Sequence, residues 1–200
     1  MQSRLSKNLS LFILALAFVA FVYGTYKAIS IVSKTQVSTR EGIYSSYVSR
    51  SEAMAQKAEQ LGWGCESRLC TVQMLLDFVS DIPYSTQTFQ RKKPLQTIAD
   101  NFGDCDDKSN LLISLLHSLN IEAYFVLVPK HIFVIVPLDD VRLKHTKGLW
   151  VNGRKYYVLE STAKGSSVGF LMDYDVKEID IIVEPFENEK LEINSLEFKL

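Results

Sequence analysis

The stretch GDCDDKSNLLISLLHSLNIEAYFVLVPKHIFVIV, residues 103–136, constrains the architecture more than any other. Leu111, Leu112, Leu115, Leu116 and Leu119 fall on one stripe at helical spacing, so its first half is a helix buried along that side. Asn120 is a natural end. Two β-rich runs follow at once, IEAYFVLVP (121–129) and HIFVIVP (131–137), with only a short turn at Pro129-Lys130 between them. LWVNGRKYYVLE (149–160) adds a hairpin, because Asn152-Gly153 suits a type I′ turn. Upstream, Val72, Leu75, Leu76 and Val79 form a helical face that must stop before Pro83. Pro94 can open a short helix running through Ile98. Near the C-terminus, IDIIVEPF and LEINSLEFKL read as edge strands or a packed tail, since Pro185 argues against a central strand. Helices first, then strands joined by hairpin-length turns, indicate an α+β fold. Its sheet is mostly antiparallel, and the helix bearing Cys105 packs on it.

The N-terminus is different in kind. LSLFILALAFVAFVYGTY, from Leu9 to Tyr26, carries no charge and is long enough to cross a hydrocarbon core as a helix. No good small-residue cleavage site follows it, so residues 9–32 read as a retained signal anchor behind a short tail, residues 1–8. Lys27, Lys34 and Arg40 nearly balance Arg4 and Lys7, which leaves the charge rule almost neutral on orientation. Residues 33–70 read as a helical stalk or packing segment; 36–64 are polar and helix-compatible, with SRSEAMAQKAEQLGW as the best helix, ended by Gly62 and Gly64. Residues 71–200 then form the domain. A net charge of −1 without a basic run or zinc-ligand spacing excludes the usual nucleic-acid binders.

Of three cysteines, Cys65 and Cys70 are close enough in GCESRLC to bridge, and a buried thiol pair is the alternative. A bridge would leave Cys105 as a single reserved thiol and place the domain outside the cytoplasm. Cys105 stands at a helix start, where unpaired N–H groups and the macrodipole favour an anion. Asp104, Asp106 and Asp107 surround it, so something positive must be supplied nearby. His117 lies on the same helix, roughly 18 Å further along, and cannot supply it. His145 sits in a polar loop. His131 opens a strand expected beside the cysteine helix, and Glu160 ends a hairpin strand in reach of orienting an imidazole. Cysteine, histidine and acid in that order are the parts of a nucleophile activated through an imidazolium.

GDCDDKSNLLISLLHSLNIEAYFVLVP, then HIFVIV, then KYYVLESTAKGSSVG resemble the core of the transglutaminase-like superfamily, which has a papain-like Cys-His-acid domain. The resemblance spans about residues 72–170 and includes DFVSDIPYS and KPLQTIADNF as the upstream helix and approach loop. It implies Cys105 as nucleophile, His131 as base and Glu160 as orienting acid. Glu160 stands where many members have Asp, and Lys130 precedes the histidine where glycine is common. The implied chemistry is attack on a carboxamide or peptide carbonyl, through a thioester acyl-enzyme, by a cysteine hydrolase or acyltransferase acting on proteins. The Cys105 N–H would be one oxyanion donor, with Tyr84 and Gln87 as candidates by position. No cofactor is expected; calcium at Asp104, Asp106 and Asp107 is the exception considered, although no regularly spaced oxygen-ligand loop is present. The expected partners are a protein or peptide substrate and the membrane. A catalytically silent interaction module of a membrane complex is the reading from another class, and a thiol-redox role for Cys65 and Cys70 lacks its βαβ pattern.

Overall fold

The computed structural model describes residues 4–39, 42–86 and 92–200. Helix α1 (Arg4–Thr35) contains the apolar stretch Asn8–Ile29, whose mean hydropathy is 2.1 and which no other part of the chain buries. It is long and apolar enough to cross a membrane. Strands β1 (Gln36–Thr39) and β2 (Gly42–Ser45) pair antiparallel, and helix α2 (Glu52–Leu61) follows. The helix-compatible stretch 36–64 is thus helical only over its second half. Val37, Thr39, Ile43 and Tyr44 are β-branched or aromatic and favour the ladder instead. Ser51 caps α2 by accepting from the Met54 N–H, and Met54 and Ala58 are buried in the main core.

Helix α3 (Arg68–Asp81) ends at Ile82, in extended geometry before Pro83, and α4 (Pro94–Asp100) opens on its proline. Helix α5 (Cys105–Ser118) is the hub: α2, α3, α4 and the sheet all pack against it. Leu111, Leu112, Leu115 and Leu116 are fully buried, each worth about 1.5–3 kcal/mol. Burial is not confined to the leucines: Lys108 and Ser109 on the same stripe, and Asn110 and Ser114 on the opposite face, are buried as well. Each has partners. Asn110 donates to the Tyr44 hydroxyl at 3.0 Å and accepts from the Tyr47 N–H at 2.7 Å, while Ser114 accepts from the Ser49 N–H at 2.9 Å.

Strands β3 (Tyr124–Val128), β4 (His131–Val136), β5 (Gly148–Val151), β6 (Arg154–Leu159), β7 (Ile181–Val183) and β8 (Leu196–Lys199) form one sheet in the order β7-β3-β4-β6-β5-β8. Every pairing in it is antiparallel. Alternate residues face the helices (Phe125, Ile132, Val134, Leu159) or a second layer (Val126, Phe133, Ile135, Val158), and both faces are buried. Burial on both faces explains why these strands read as unbroken apolar runs. Asn152 (φ 51) and Gly153 (φ 83) form the turn expected between β5 and β6. The C-terminal segments supply both sheet edges, β7 before Pro185 and β8 at the far side. The fold is α+β, with the cysteine helix laid on an antiparallel sheet.

Candidate active site

The start of α5 gives each of its three carboxylates a different task. Asp104 is the N-cap: it accepts from the Asp107 N–H at 3.0 Å, and Asp107 reciprocates toward the Asp104 N–H at 3.4 Å. Asp107 is buried and also accepts from the Lys92 N–H at 2.9 Å. Burial pushes its carboxyl above the ordinary value, and these N–H donors pull the other way. Asp106 faces Cys105, whose Sγ lies 3.7 Å from its Oδ1. Gly103 precedes this box because a Cβ there would lie 2.9 Å from the Asp107 Cβ.

Cys105 is half-buried and is the free thiol of the chain; Cys65 and Cys70 form a disulfide. Burial, then Asp106 and Asp104, push the Cys105 thiol from 9.0 up to about 12. Desolvation and two adjacent carboxylates act together against the anionic form of this thiol.

His131 is the first residue of β4, set by the Val128–His131 turn in which Lys130 takes φ 60. Glycine would adopt this left-handed geometry at no steric cost, whereas Lys130 adopts it despite its Cβ. His131 Nε2 lies 2.8 Å from Glu160 Oε2. Glu160 is 3 % exposed, and its other oxygen accepts from the Thr162 N–H at 2.8 Å and from the Thr162 hydroxyl. Burial pushes the Glu160 carboxyl up, but the bonds from His131 and Thr162 outweigh it and hold it below its ordinary value. The Tyr174 ring stacks on His131 with centroids 6.2 Å apart. A cleft of about 440 Å³ opens over His131, Glu160 and Thr162, walled by Phe170, Leu171, Met172 and Tyr174.

One turn along α5 from Cys105, Ser109 Oγ lies 3.4 Å from the Ile132 carbonyl and 3.3 Å from Ser161 Oγ. The face of α5 that carries Cys105 is thereby stitched to the residues next to His131 and next to Glu160. Tyr84 forms an isolated bridge with Gly103, two residues before Cys105, and burial raises its phenol, with Cys105, Asp104 and Asp106 adding to the shift. Gln87 lies outside the described residues. His117 is far from this site, with Nε2 within 3.1 Å of the Ala123 carbonyl, and His145 is exposed. Among the described residues no group of three His, Cys, Asp or Glu side chains is arranged to hold a metal. Thr162, Tyr174, Ser109 and Lys108 carried no role in the sequence reading. Thr162 had a local signal, two residues after the acid, and so did Lys108, at stripe spacing from Leu111, Leu112 and Leu115.

The sequence matches no family model and no curated protein. Among solved structures, the chain is similar to a candidate cysteine protease from Cytophaga hutchinsonii, at 19% identity and a TM-score of 0.45, covering 78% of this chain and 53% of that one. It is similar to a candidate protease from Parabacteroides distasonis, at 12% identity and a TM-score of 0.43, covering 70% of this chain and 27% of that one. It is also similar to Legionella pneumophila LapG, at 13% identity and a TM-score of 0.40, covering 70% of this chain and 86% of that one. The chain spans about half the length of the Cytophaga protein and about a quarter of the Parabacteroides one.

Proposed function

We propose that this chain is a transglutaminase-like cysteine hydrolase that cleaves amide or peptide bonds of proteins. In this reading the catalytic domain, residues 71–200, is held at a membrane by an anchor at residues 9–32, with 33–70 leading between them. The observation that carries the reading is the 2.8 Å bond between His131 and Glu160, made beside the capped start of the helix that begins with Cys105. The disulfide between Cys65 and Cys70 supports a domain outside the cytoplasm.

The high thiol pKa makes proton transfer part of the attack. As Sγ bonds to the substrate carbonyl carbon, its proton passes to His131 Nδ1, and Glu160 stabilises the imidazolium. The tetrahedral oxyanion is met by the Cys105 N–H, which at the first helical position has no intrahelical acceptor, and by the Tyr84 hydroxyl. The C–N bond then breaks, His131 returns the proton to the departing amine, and a thioester remains. Water gives a proton to His131 and adds to the thioester; the C–S bond breaks and Sγ recovers its proton. Hydrolysis is favoured over transfer because water is the default acceptor.

The thiol pKa of about 12 also favours a second reading, a silent interaction module of a membrane complex that keeps the fold without turnover. One experiment separates the two. The full chain in detergent micelles is incubated with a proteome-derived peptide library in ¹⁸O-water, with dansylcadaverine as competing amine, and new termini are read by mass spectrometry. We expect ¹⁸O-labelled C-termini that vanish in Cys105→Ala while thermal unfolding stays unchanged. Amine adducts would make the protein an acyltransferase, and no turnover would leave the silent module.

A further inference from the structure

Lys108 is among the largest fully buried side chains of the protein, at 1 % exposure, and the reaction outlined above does not use it. A leucine would fill the same helix position without the cost of desolvating an ammonium. Burying a charge there requires acceptors, and the structure provides two. Lys108 Nζ donates to the Ile82 carbonyl at 2.7 Å and to the Ser80 carbonyl at 3.2 Å. Both carbonyls belong to the C-terminal end of α3, where Pro83 stops the helix and leaves its last acceptors open. The cation also meets the negative end of that helix dipole.

Three further contacts extend this clamp toward the nucleophile. The Gly103 N–H donates to the Pro83 carbonyl at 3.2 Å, and the Ser85 N–H donates to the Gly103 carbonyl at 3.0 Å. Tyr84, between them, forms an isolated parallel bridge with Gly103, two residues before Cys105. Residues 82–85 are therefore fastened at one end by Lys108 and along their length by the segment that leads into α5. Tyr84 is 53 % exposed, so little else packs it in place.

We propose that Lys108 is a positioning residue for the nucleophile: its buried ammonium, bonded to the Ser80 and Ile82 carbonyls, holds residues 82–85 against Gly103 and so sets Tyr84 beside Cys105. The proposal deepens the reading of Cys105 as nucleophile and rests on it. Tyr84 shields the thiol before substrate arrives and stands ready as a donor when the oxyanion forms. Lys108 touches neither substrate nor sulfur and acts only through Tyr84.

The test uses the full chain in dodecyl maltoside micelles, with the Cys65–Cys70 disulfide kept oxidised. Iodoacetamide alkylation of Cys105 is followed from pH 7 to 11 in wild type, Lys108→Met, Tyr84→Ala and the double variant. Methionine keeps the volume and removes the donor. We expect both single variants to speed alkylation at pH 8 by about 3–10-fold as the unshielded thiol ionises more readily, since one pKa unit is tenfold in thiolate. The double variant should be no faster than either single one, because both remove the same contact. Burial pulls the Lys108 ammonium down to about 8, so Lys108→Arg, which keeps a cationic donor at some packing cost, should unfold at a lower temperature yet alkylate at the wild-type rate at pH 7. Independent, additive effects of Lys108→Met and Tyr84→Ala would overturn the proposal, as would an unchanged profile in Lys108→Met. If Lys108→Met does not fold, a Lys108→Arg rate at pH 7 raised like that of Tyr84→Ala overturns it. Alkylation needs no substrate, so a wild-type chain without peptide cleavage would sink the hydrolase reading while leaving this coupling intact and measurable.

Discussion

At the scale of single residues, Cys105 is governed by a competition between a helix N-terminus, which favours the thiolate, and burial beside carboxylates, which opposes it. The opposition wins and the thiol stands at about 12. Asp106 is the acid in contact with it, so Asp106→Asn should lower that value and speed iodoacetamide alkylation at pH 8 by about 3–10-fold. An alkylation rate that already plateaus near neutral pH in the wild type would contradict this electrostatic picture. Glu160 works in the opposite sense, held below its ordinary value by His131 and Thr162. Glu160→Gln should reduce peptide cleavage by about 10–100-fold without abolishing it, because His131 keeps a hydrogen-bond partner but loses the charge that stabilises its protonated form. The sign of the linked stability follows from a depressed carboxyl. Its stabilisation is present above the ordinary 4.5 and is lost as pH falls through the lower folded value. The gap in melting temperature between wild type and Glu160→Gln should therefore be widest above pH 5 and close toward pH 3.

At the scale of elements, the entry to α5 depends on one missing side chain. A Cβ on Gly103 would meet the Asp107 Cβ at 2.9 Å and the Thr97 Cγ2 at 3.2 Å, so it would push on the capping box and on α4 together. Gly103→Ala should cost about 1–3 kcal/mol in denaturant unfolding. It should also disturb the Tyr84–Gly103 bridge, so alkylation of Cys105 should change with it. A neutral result in both measurements would mean the helix start shifts freely. The hairpins illustrate what local chemistry can specify: Asn152-Gly153 was legible because that pair tolerates positive φ at both positions. The β1–β2 ladder was not read from the sequence, since two four-residue strands are too short to show a period even though Val37, Thr39, Ile43 and Tyr44 favour a strand.

At the scale of the whole molecule, an apolar helix that the described residues leave uncovered stands before a segment bridged by the Cys65–Cys70 disulfide. Mass spectrometry of the denatured full chain after iodoacetamide should find one adduct without reductant and three with it, matching one free and two bridged cysteines. Three adducts without reductant would remove the bridge and with it the support for an oxidising compartment. Within the domain, α5 is the element every layer shares, and its polar residues stitch it to its neighbours. Ser109 reaches the sheet, Asn110 and Ser114 reach the chain before α2, and Lys108 reaches the end of α3. The consequence is that Cys105 begins a helix packed by α2, α3, α4 and the sheet, which favours a side chain held in place before any ligand binds.

The sequence by itself determined the α+β class, the cysteine helix, the antiparallel pairing of its strands and both edge segments. Each of these follows from periodicity, proline and turn chemistry acting over a few neighbouring residues. It also pointed to Cys105 and His131, because cysteines and histidines are few in the chain, and to Glu160 through its place at a strand end and the resemblance. Tertiary structure alone decided that His131 and Glu160 bond directly, that Thr162 and Tyr174 support them, and that Cys105 is half-buried beside Asp104 and Asp106. It alone revealed Lys108 as a buried clamp, since stripe spacing turns a lysine toward the core without naming the acceptors that meet it. Spacing along a chain carries direction and period, whereas burial and the field at a sulfur depend on atoms brought together from distant segments.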